Sequence, residues 1–356
     1  MPSVRDVAKR AGVSISTVSV ALNDASRVSA ETHRRVMEAV EAIGYAPNSI
    51  ARSLRLGRTN LIGLIVSEIT NPFFAALAKV IQSEALKAGY NLIVCNSDEN
   101  PARELELLDI LRAQRVAGII VSPCGRDETY RHALAGIVDV PLLTVDRYVE
   151  GLDRGFVGLD SRHAGRMVTE YLLRLGHRRI AFVGGPEGIS SAELRLAGFR
   201  DAFDAAGIDV PNELVWHTDF RAETAYSIVR EWMLKPVRPT AFIGVNNVAM
   251  IGALQAIEDL GFQCPFDVSL AGMDAFPMNS VIRPKLTVAA QPIEDIGRQA
   301  VASLLADVMR PKDAPAEHRA LFLSPTLHVG GSCRDLRDAA GDHAPSRRGH
   351  ADTPSG

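Results

Sequence analysis

Short apolar runs separated by longer amphipathic ones, in two successive series, constrain the fold of this chain more than any other feature of its sequence. LIGLIV (61–66), NLIVC (91–95), AGIIV (117–121) and PLLTV (141–145) make the first series; RIAFV (179–183), TAFIGV (240–245) and VSLAGM (268–273) make the second. Helical patterns cover 73–88, 101–114, 161–175, 192–206, 222–234, 247–260 and 292–309. Strands apolar on both faces, alternating with helices, predict parallel sheets covered by helices. Two series predict two similar lobes, with a cleft near the C-terminal ends of their strands. The 356 residues suffice for two or three compact units at roughly 100–200 residues each. From 333 to 356 the chain turns polar and rich in Gly, Pro, Ser and Asp, which predicts a disordered tail.

Residues 1–46 break the alternation. Val4, Val7, Ala8 and Ala11 share one face of a first helix. Gly12 can take the positive φ of a tight exit, Val13 can plug the corner, and Ser14 can cap a second helix with Val18, Ala21 and Leu22 facing inward. Ile15, Ser16, Ser19 and Val20 then face outward. Ser29 caps a third helix, buried through Val36, Ala39, Val40 and Ile43 and ended by Gly44. Two short helices across a glycine-containing turn, the second with small outward side chains, suit a DNA major groove. Charge agrees with this. Residues 1–60 carry nine basic and five acidic side chains, although the whole chain has a net charge of −3. A basic head on an acidic body fits a polyanionic partner at one end only.

Cys95, Cys124, Cys264 and Cys333 form no CxxC pair and have no histidine cluster beside them, which argues against a zinc site or disulfide framework and fits a reducing, cytoplasmic setting. No apolar run has the form of a signal peptide or a membrane span. An enzyme on a doubly wound fold is the first competing reading, but GxGxxG, P-loop, GxSxG and HExxH motifs are absent, and FVGGPEG (182–188) has the wrong spacing for a phosphate loop. A plain solute-binding protein is the second; the basic headpiece argues against it. No cofactor or metal is expected.

The run DVAKRAGVSISTVSVALN, followed by VSAETHRRVMEAVEAIGYAPNSIARSLRLGRTNLIGLIV, resembles the headpiece and hinge of the lactose-repressor (LacI/GalR) family. The resemblance continues through NPFFAALAKVIQSEA, the segment 145–185, ELRLAGFRDAF, 246–277 and PKLTVAAQP to about residue 330. It implies an all-α helix-turn-helix headpiece (1–46), a hinge (47–59) and a two-lobed α/β domain (60–332) like the type I periplasmic sugar-binding fold. It implies a homodimer on palindromic operator DNA, with no heptad tail to build a tetramer.

Position by position, the resemblance places Ile15, Ser16 and Val20 at base-reading sites of the recognition helix. Ser3, Ser14, Thr17, Ser19 and Asn23 fall where relatives touch phosphates or support that helix. Asn48, Ala51, Arg52, Leu54 and Arg55 fall in a hinge helix, with Leu54 as a minor-groove wedge beside phosphate-neutralising arginines. Many members have arginine where this chain has Val20; valine can pack on a thymine methyl but cannot fork to guanine. In the body, Phe73, Phe74 and Phe220 are implied as stacking walls for a small effector. Asp146, Arg147, Arg195, Asn246 and Asp274 are implied as polar anchors, with Asp160 a weaker one. A sugar, sugar acid, sugar phosphate or purine all suit this set. Two positions depart from the family: Asn247 replaces the usual aspartate, and HVGGSC lacks an arginine before its serine. His177-Arg178-Arg179 reads as a structural loop.

Overall fold

The computed structural model describes residues 2–23, 27–45, 59–311 and 319–337. The chain divides into two compact units, Met1–Thr59 and Asn60–Gly356.

In the first unit, α1 (Val4–Ala11) opens on a capping box: the Ser3 hydroxyl accepts from Asp6 N, and the Asp6 carboxylate accepts from Ser3 N at 2.8 Å. Gly12, at φ 63°, turns the chain out of this helix. Any side chain here would be strained by that φ, and its Cβ would lie 2.8 Å from the Arg35 guanidinium. Ser14 Oγ accepts from Thr17 N at 3.0 Å, starting α2 (Ile15–Asn23). The third helix, α3 (Ala30–Ile43), is capped by Ser29. Val7, Ala8, Ala11, Val18, Ala21, Val36 and Ala39 form the core, with Leu22, Val40 and Ile43 half-buried around it. Arg35 of α3 donates to the carbonyls of Ala11 and Gly12, tying the third helix to the turn between the first two.

The second unit holds two six-stranded sheets. The first runs β11-β5-β4-β3-β1-β2 and is parallel throughout. Its strands are β1 (Leu61–Val66), β2 (Asn91–Asn96), β3 (Gly118–Val121), β4 (Leu142–Val145), β5 (Gly155–Leu159) and β11 (Ala320–Leu323). The second runs β12-β10-β9-β8-β6-β7, with only the β10–β12 pair antiparallel. It comprises β6 (Ile180–Val183), β7 (Val215–Trp216), β8 (Ala241–Gly244), β9 (Ser269–Met273), β10 (Thr287–Ala290) and β12 (Thr326–His328). The first lobe is covered by α4 (Pro72–Lys87), α5 (Pro101–Ala113), α6 (Glu128–Ala135) and α11 (Ile293–Met309). The second is covered by α7 (Ser161–Arg174), α8 (Ser190–Ala205), α9 (Ala222–Met233) and α10 (Asn247–Asp259). Among the described residues the chain passes between lobes after β5, after β10 and after β11. Strands β5, β7, β10, β11 and β12 add to those expected from sequence, being short or glycine-rich.

Residues 333–337, assigned by composition to a disordered tail, pack on the second lobe instead. Leu336 N donates to Leu175 O at 2.8 Å, and Arg334 O lies 3.1 Å from the buried His177 ring. His177 also meets Thr240 Oγ1 at 2.9 Å, which gives the HRR turn the structural role expected of it.

Helices α7 and α8 cross at Gly165 and Gly198: a Cβ on Gly165 would strike the Arg195 carbonyl, and one on Gly198 the Arg162 carbonyl. Neither helix backbone can retreat without opening the lobe's core, so the pair fixes the position of Arg195. Gly165→Ala should therefore cost about 1–3 kcal/mol of stability, the usual range for overpacking. Urea unfolding of this variant with an unchanged midpoint would show that the crossing has slack.

Candidate ligand cleft and nucleic-acid interface

The cleft is built from residues at the C-terminal ends of strands in both lobes. In the first lobe Asp146 and Arg147 follow β4, and Glu99 lies just beyond β2. Asp146 (φ 64°) and Glu99 (φ 54°) sit in the left-handed region, as do Phe220 (φ 65°) and Asp274 (φ 71°) of the second lobe. Non-glycine residues held there cost about 1 kcal/mol or more each and cluster at functional sites.

Arg147 is the central cation, with its side chain only 6% exposed. Its two terminal nitrogens donate to the two carboxylate oxygens of Glu99 at 2.8 and 2.7 Å. Its Nε lies 3.5 Å from Asp146 Oδ2 but off hydrogen-bond alignment, so this is an ion pair with the N–H left unpartnered. Its guanidinium stands 4.9 Å from the ring centroid of Phe220, joining the two lobes. Burial opposes this charge, but Glu99 and Asp146 outweigh it and raise the pKa. Burial also raises the Asp146 carboxyl, against the pull of Arg147 and Arg195.

In the second lobe Arg195 of α8 donates to Val245 O at 2.7 Å and to Asp274 Oδ1 at 3.4 Å. Gln291 Nε2 donates to the same Asp274 oxygen at 2.7 Å. Asn247 Nδ2 donates across the cleft to Asn71 Oδ1 at 3.1 Å. Ser190 Oγ accepts from Tyr148 N at 3.0 Å, a further link between lobes.

The structure thus brings Asp146, Arg147, Arg195, Phe220 and Asp274 together. Asn246 is buried beside them and caps α10 by accepting from Ala249 N at 2.8 Å. Phe73 and Phe74 belong to the first lobe's apolar core, edge to face at 5.0 Å, so packing is their observed role. Asp160 differs again: it caps α7 through His163 N and lines a shallow surface depression with Arg162, His163, Arg166, Glu170 and Asp201. Sequence reasoning missed Glu99, Asn71 and Gln291, along with Ser67 and Ser122. The two serines directly follow β1 and β3, so the strand-end rule could have found them.

Among the described residues, the buried side-chain atoms without a hydrogen-bond partner are Ser67 Oγ, Ser122 Oγ, Arg147 Nε, Arg195 Nε, Asn247 Oδ1, Gln291 Oε1 and, away from the cleft, Arg179 Nε. Each such atom costs about 1–3 kcal/mol unless something bonds it. Their concentration at strand ends marks a site for a polar ligand.

In the first unit Ser14 and Ile15 are exposed at the start of α2, as is Ser16; Thr17, Ser19 and Val20 are half-buried. Ile15 is 44% exposed, so its side chain is free to meet a partner. The Ser14 hydroxyl lies 2.7 Å from that of Ser16 and 2.8 Å from that of Thr17. Ser3 is exposed at the start of α1, and Asn23 ends α2. Asn48, Ala51, Arg52, Leu54 and Arg55 lie outside the described residues.

Behind the cleft, Glu104 of α5 is fully buried, accepting from Tyr130 Oη and from Cys124 N (3.1 Å). Burial pushes its carboxyl from 4.5 up to about 7, against those hydrogen bonds and Arg147. The folded protein therefore holds this proton more tightly than the unfolded chain. The resulting stabilisation is complete below about 4.5 and is lost as pH rises through about 7. Wild-type protein should weaken relative to Glu104→Gln across that window, by at most about 1.4 kcal/mol per pH unit. Urea midpoints that keep a constant separation over the window would refute this.

Comparison with known proteins agrees with both units. The profile of bacterial regulatory proteins of the lacI family matches residues 3–48, and that of the periplasmic binding protein-like domain matches 169–333. The HTH-type transcriptional repressor PurR of Photobacterium profundum is 32% identical over 94% of this chain and its own full length. The ribose operon repressor of Escherichia coli is 31% identical over 93% of this chain and all of its own. Among solved structures, the lac repressor dimer bound to operator and the anti-inducer ONPF superposes with a TM-score of 0.82, at 27% identity, over 94% of this chain and 99% of that one. The transcriptional regulator CelR–cellobiose complex gives 0.70 at 27% identity, over 93% and 100%. A helix-turn-helix unit joined to two lobes around a polar cleft, with these relatives along nearly its whole length, makes this chain a member of the LacI family of bacterial transcription regulators.

Proposed function

We propose that this protein is a cytoplasmic repressor whose affinity for operator DNA is set by a small polyhydroxylated metabolite held between its lobes. The observation that carries the reading is the set of unpartnered buried polar atoms at the strand ends, joined to a unit with an exposed recognition-helix face. Relatives named as the transcriptional repressor PurR and the ribose operon repressor, and neighbours in complex with operator or with cellobiose, support it. The role is regulatory and not enzymatic. The protein acts as a homodimer on palindromic DNA, as the lac repressor neighbour does, with 1–46 as headpiece, 47–59 as hinge and 60–332 as sensor. Effector binding shifts a two-state equilibrium of the lobes; a coupling of about 1–3 kcal/mol changes operator affinity roughly 5- to 150-fold.

On the recognition helix, Ile15 and Val20 offer apolar contacts and Ser16 the only polar one at a base-reading position. This helix should read thymine methyls and little guanine. Selection of operators from a random pool is expected to return half-sites in which no more than one guanine depends on α2. Two or more such guanines would defeat the assignment.

The domain roles have their own test. Removing residues 1–59 should abolish salt-dependent binding to a palindromic duplex while leaving metabolite-induced thermal stabilisation intact. The full chain should show a log–log salt slope of about −0.9 per phosphate contacted. Specific DNA binding by the truncated body would overturn the reading.

A further inference from the structure

The arginines of the cleft suggest at first an anionic ligand, but their partners say otherwise. The set contains two buried guanidinium groups, Arg147 and Arg195, two buried carboxylates, Asp146 and Asp274, and a third, half-buried one, Glu99. Recognition of a carboxylate or phosphate by arginine relies on the planar fork of two parallel N–H bonds. Glu99 already occupies that fork on Arg147. On Arg195, one terminal nitrogen is taken by Val245 O and the other faces Asp274. On each guanidinium the Nε is the nitrogen with no partner at all, and on Arg147 that edge faces a second carboxylate, Asp146 Oδ2, at 3.5 Å.

The unpartnered acceptors point the same way. Gln291 gives its amide nitrogen to Asp274, so its carbonyl oxygen is the atom left over. Asn71 Oδ1 accepts from Phe73 N, so Asn71 presents oxygen across the cleft and Asn247 must answer with nitrogen. That again leaves a carbonyl oxygen, Asn247 Oδ1, without a donor. An unprotonated carboxylate or phosphate oxygen only accepts hydrogen bonds and would be repelled by both. A hydroxyl donates and accepts, so it satisfies these oxygens and the two Nε donors alike. Ser67 and Ser122, hydroxyls themselves, adapt to either role.

We infer that Glu99 is a specificity-determining residue: by holding both terminal nitrogens of Arg147 it reserves the cleft for an uncharged polyhydroxyl ligand and excludes carboxylates and phosphates. The inference rests on the effector-site reading above. Glu99 keeps its place despite a left-handed backbone, a conformation that the two hydrogen bonds to Arg147 offset.

The experiment uses the full chain and thermal unfolding in chloride buffer at constant ionic strength, with inorganic phosphate as the anionic probe. Wild type, Glu99→Gln, Arg147→Gln and the double substitution are compared. Any phosphate held by the basic headpiece is common to all four and cancels. Freeing the fork in Glu99→Gln should tighten phosphate binding on the order of tenfold to a hundredfold, the worth of hydrogen bonds to a charged group. The double variant should lose that gain. Equal phosphate responses of Glu99→Gln and the double variant would overturn the inference. If Glu99→Gln does not fold, wild type against Arg147→Gln still decides: equal responses support the inference, and a stronger wild-type response refutes it. A panel of neutral aldoses run against the matching uronates and sugar phosphates on wild type separates the two readings. Protection by the anionic members alone sinks the role of Glu99 and leaves the effector site standing. Protection by a neutral sugar that leaves duplex affinity unchanged sinks the regulatory reading and leaves the role of Glu99 standing.

Discussion

Two parallel sheets, joined by chain crossings after β5, β10 and β11, turn the ends of their strands toward a shared gap, and everything chemical in this protein stems from that constraint. Strand ends in such sheets carry backbone groups no longer in the ladder and loops free to differ in sequence. Here they carry Asp146, Arg147 and Asp274, nearly solvent-free, with the half-buried Glu99 beside them and Arg195 reaching in from α8. Charges so placed are tolerated only when paired and hydrogen-bonded. The pairing is asymmetric between lobes. Arg147 is held by a two-pronged carboxylate contact and covers Phe220; Arg195 is held by a backbone carbonyl and shares Asp274 with Gln291. Across the gap the lobes meet through the Arg147–Phe220 contact, the Asn247–Asn71 and Tyr148–Ser190 hydrogen bonds and a donation from the Arg126 guanidinium to Glu187 O at 2.7 Å.

Helix packing serves the same end. Arg195 reaches the gap because α8 lies against α7 at two glycines, so a structural close approach fixes a functional side chain. In the headpiece Arg35 plays the comparable part, bridging α3 to the turn between α1 and α2. In both units, long basic side chains or bare backbone replace apolar bulk where geometry must be set.

Much of this was legible in the sequence. Periodicity located every body helix except the short α6, and seven strands; six of these are buried, as parallel strands apolar on both faces should be, whereas β2 lies partly exposed at the sheet edge. The caps at Ser14 and Ser29 and the exits at Gly12 and Gly44 came from local backbone chemistry; the capping box at Ser3 did not. What escaped had physical reasons. Strand β5 (GFVGL) is broken by two glycines and β10 (TVAA) is half alanine, so neither shows the run of large β-branched and aliphatic residues that marks the others. Glu99 lies in a polar loop whose left-handed backbone no composition rule flags in a glutamate. Phe73 and Phe74, implied by the resemblance as ligand walls, lie on the first turn of α4 and pack in the first lobe's apolar core. Residues 333–337 look like solvent-borne chain, but a backbone bond to Leu175 and the buried His177 ring hold them.

The Asn71–Asn247 contact carries a consequence for how this sequence can drift. Asn71 offers oxygen because its other duty, starting α4 through Phe73 N, fixes its orientation. A carboxylate at 247, the residue usual in the family, would set oxygen against oxygen across the gap. A carboxylate there could bond to residue 71 only if the Asn71 amide turned its nitrogen across the gap, and that turn would give up the bond that starts α4.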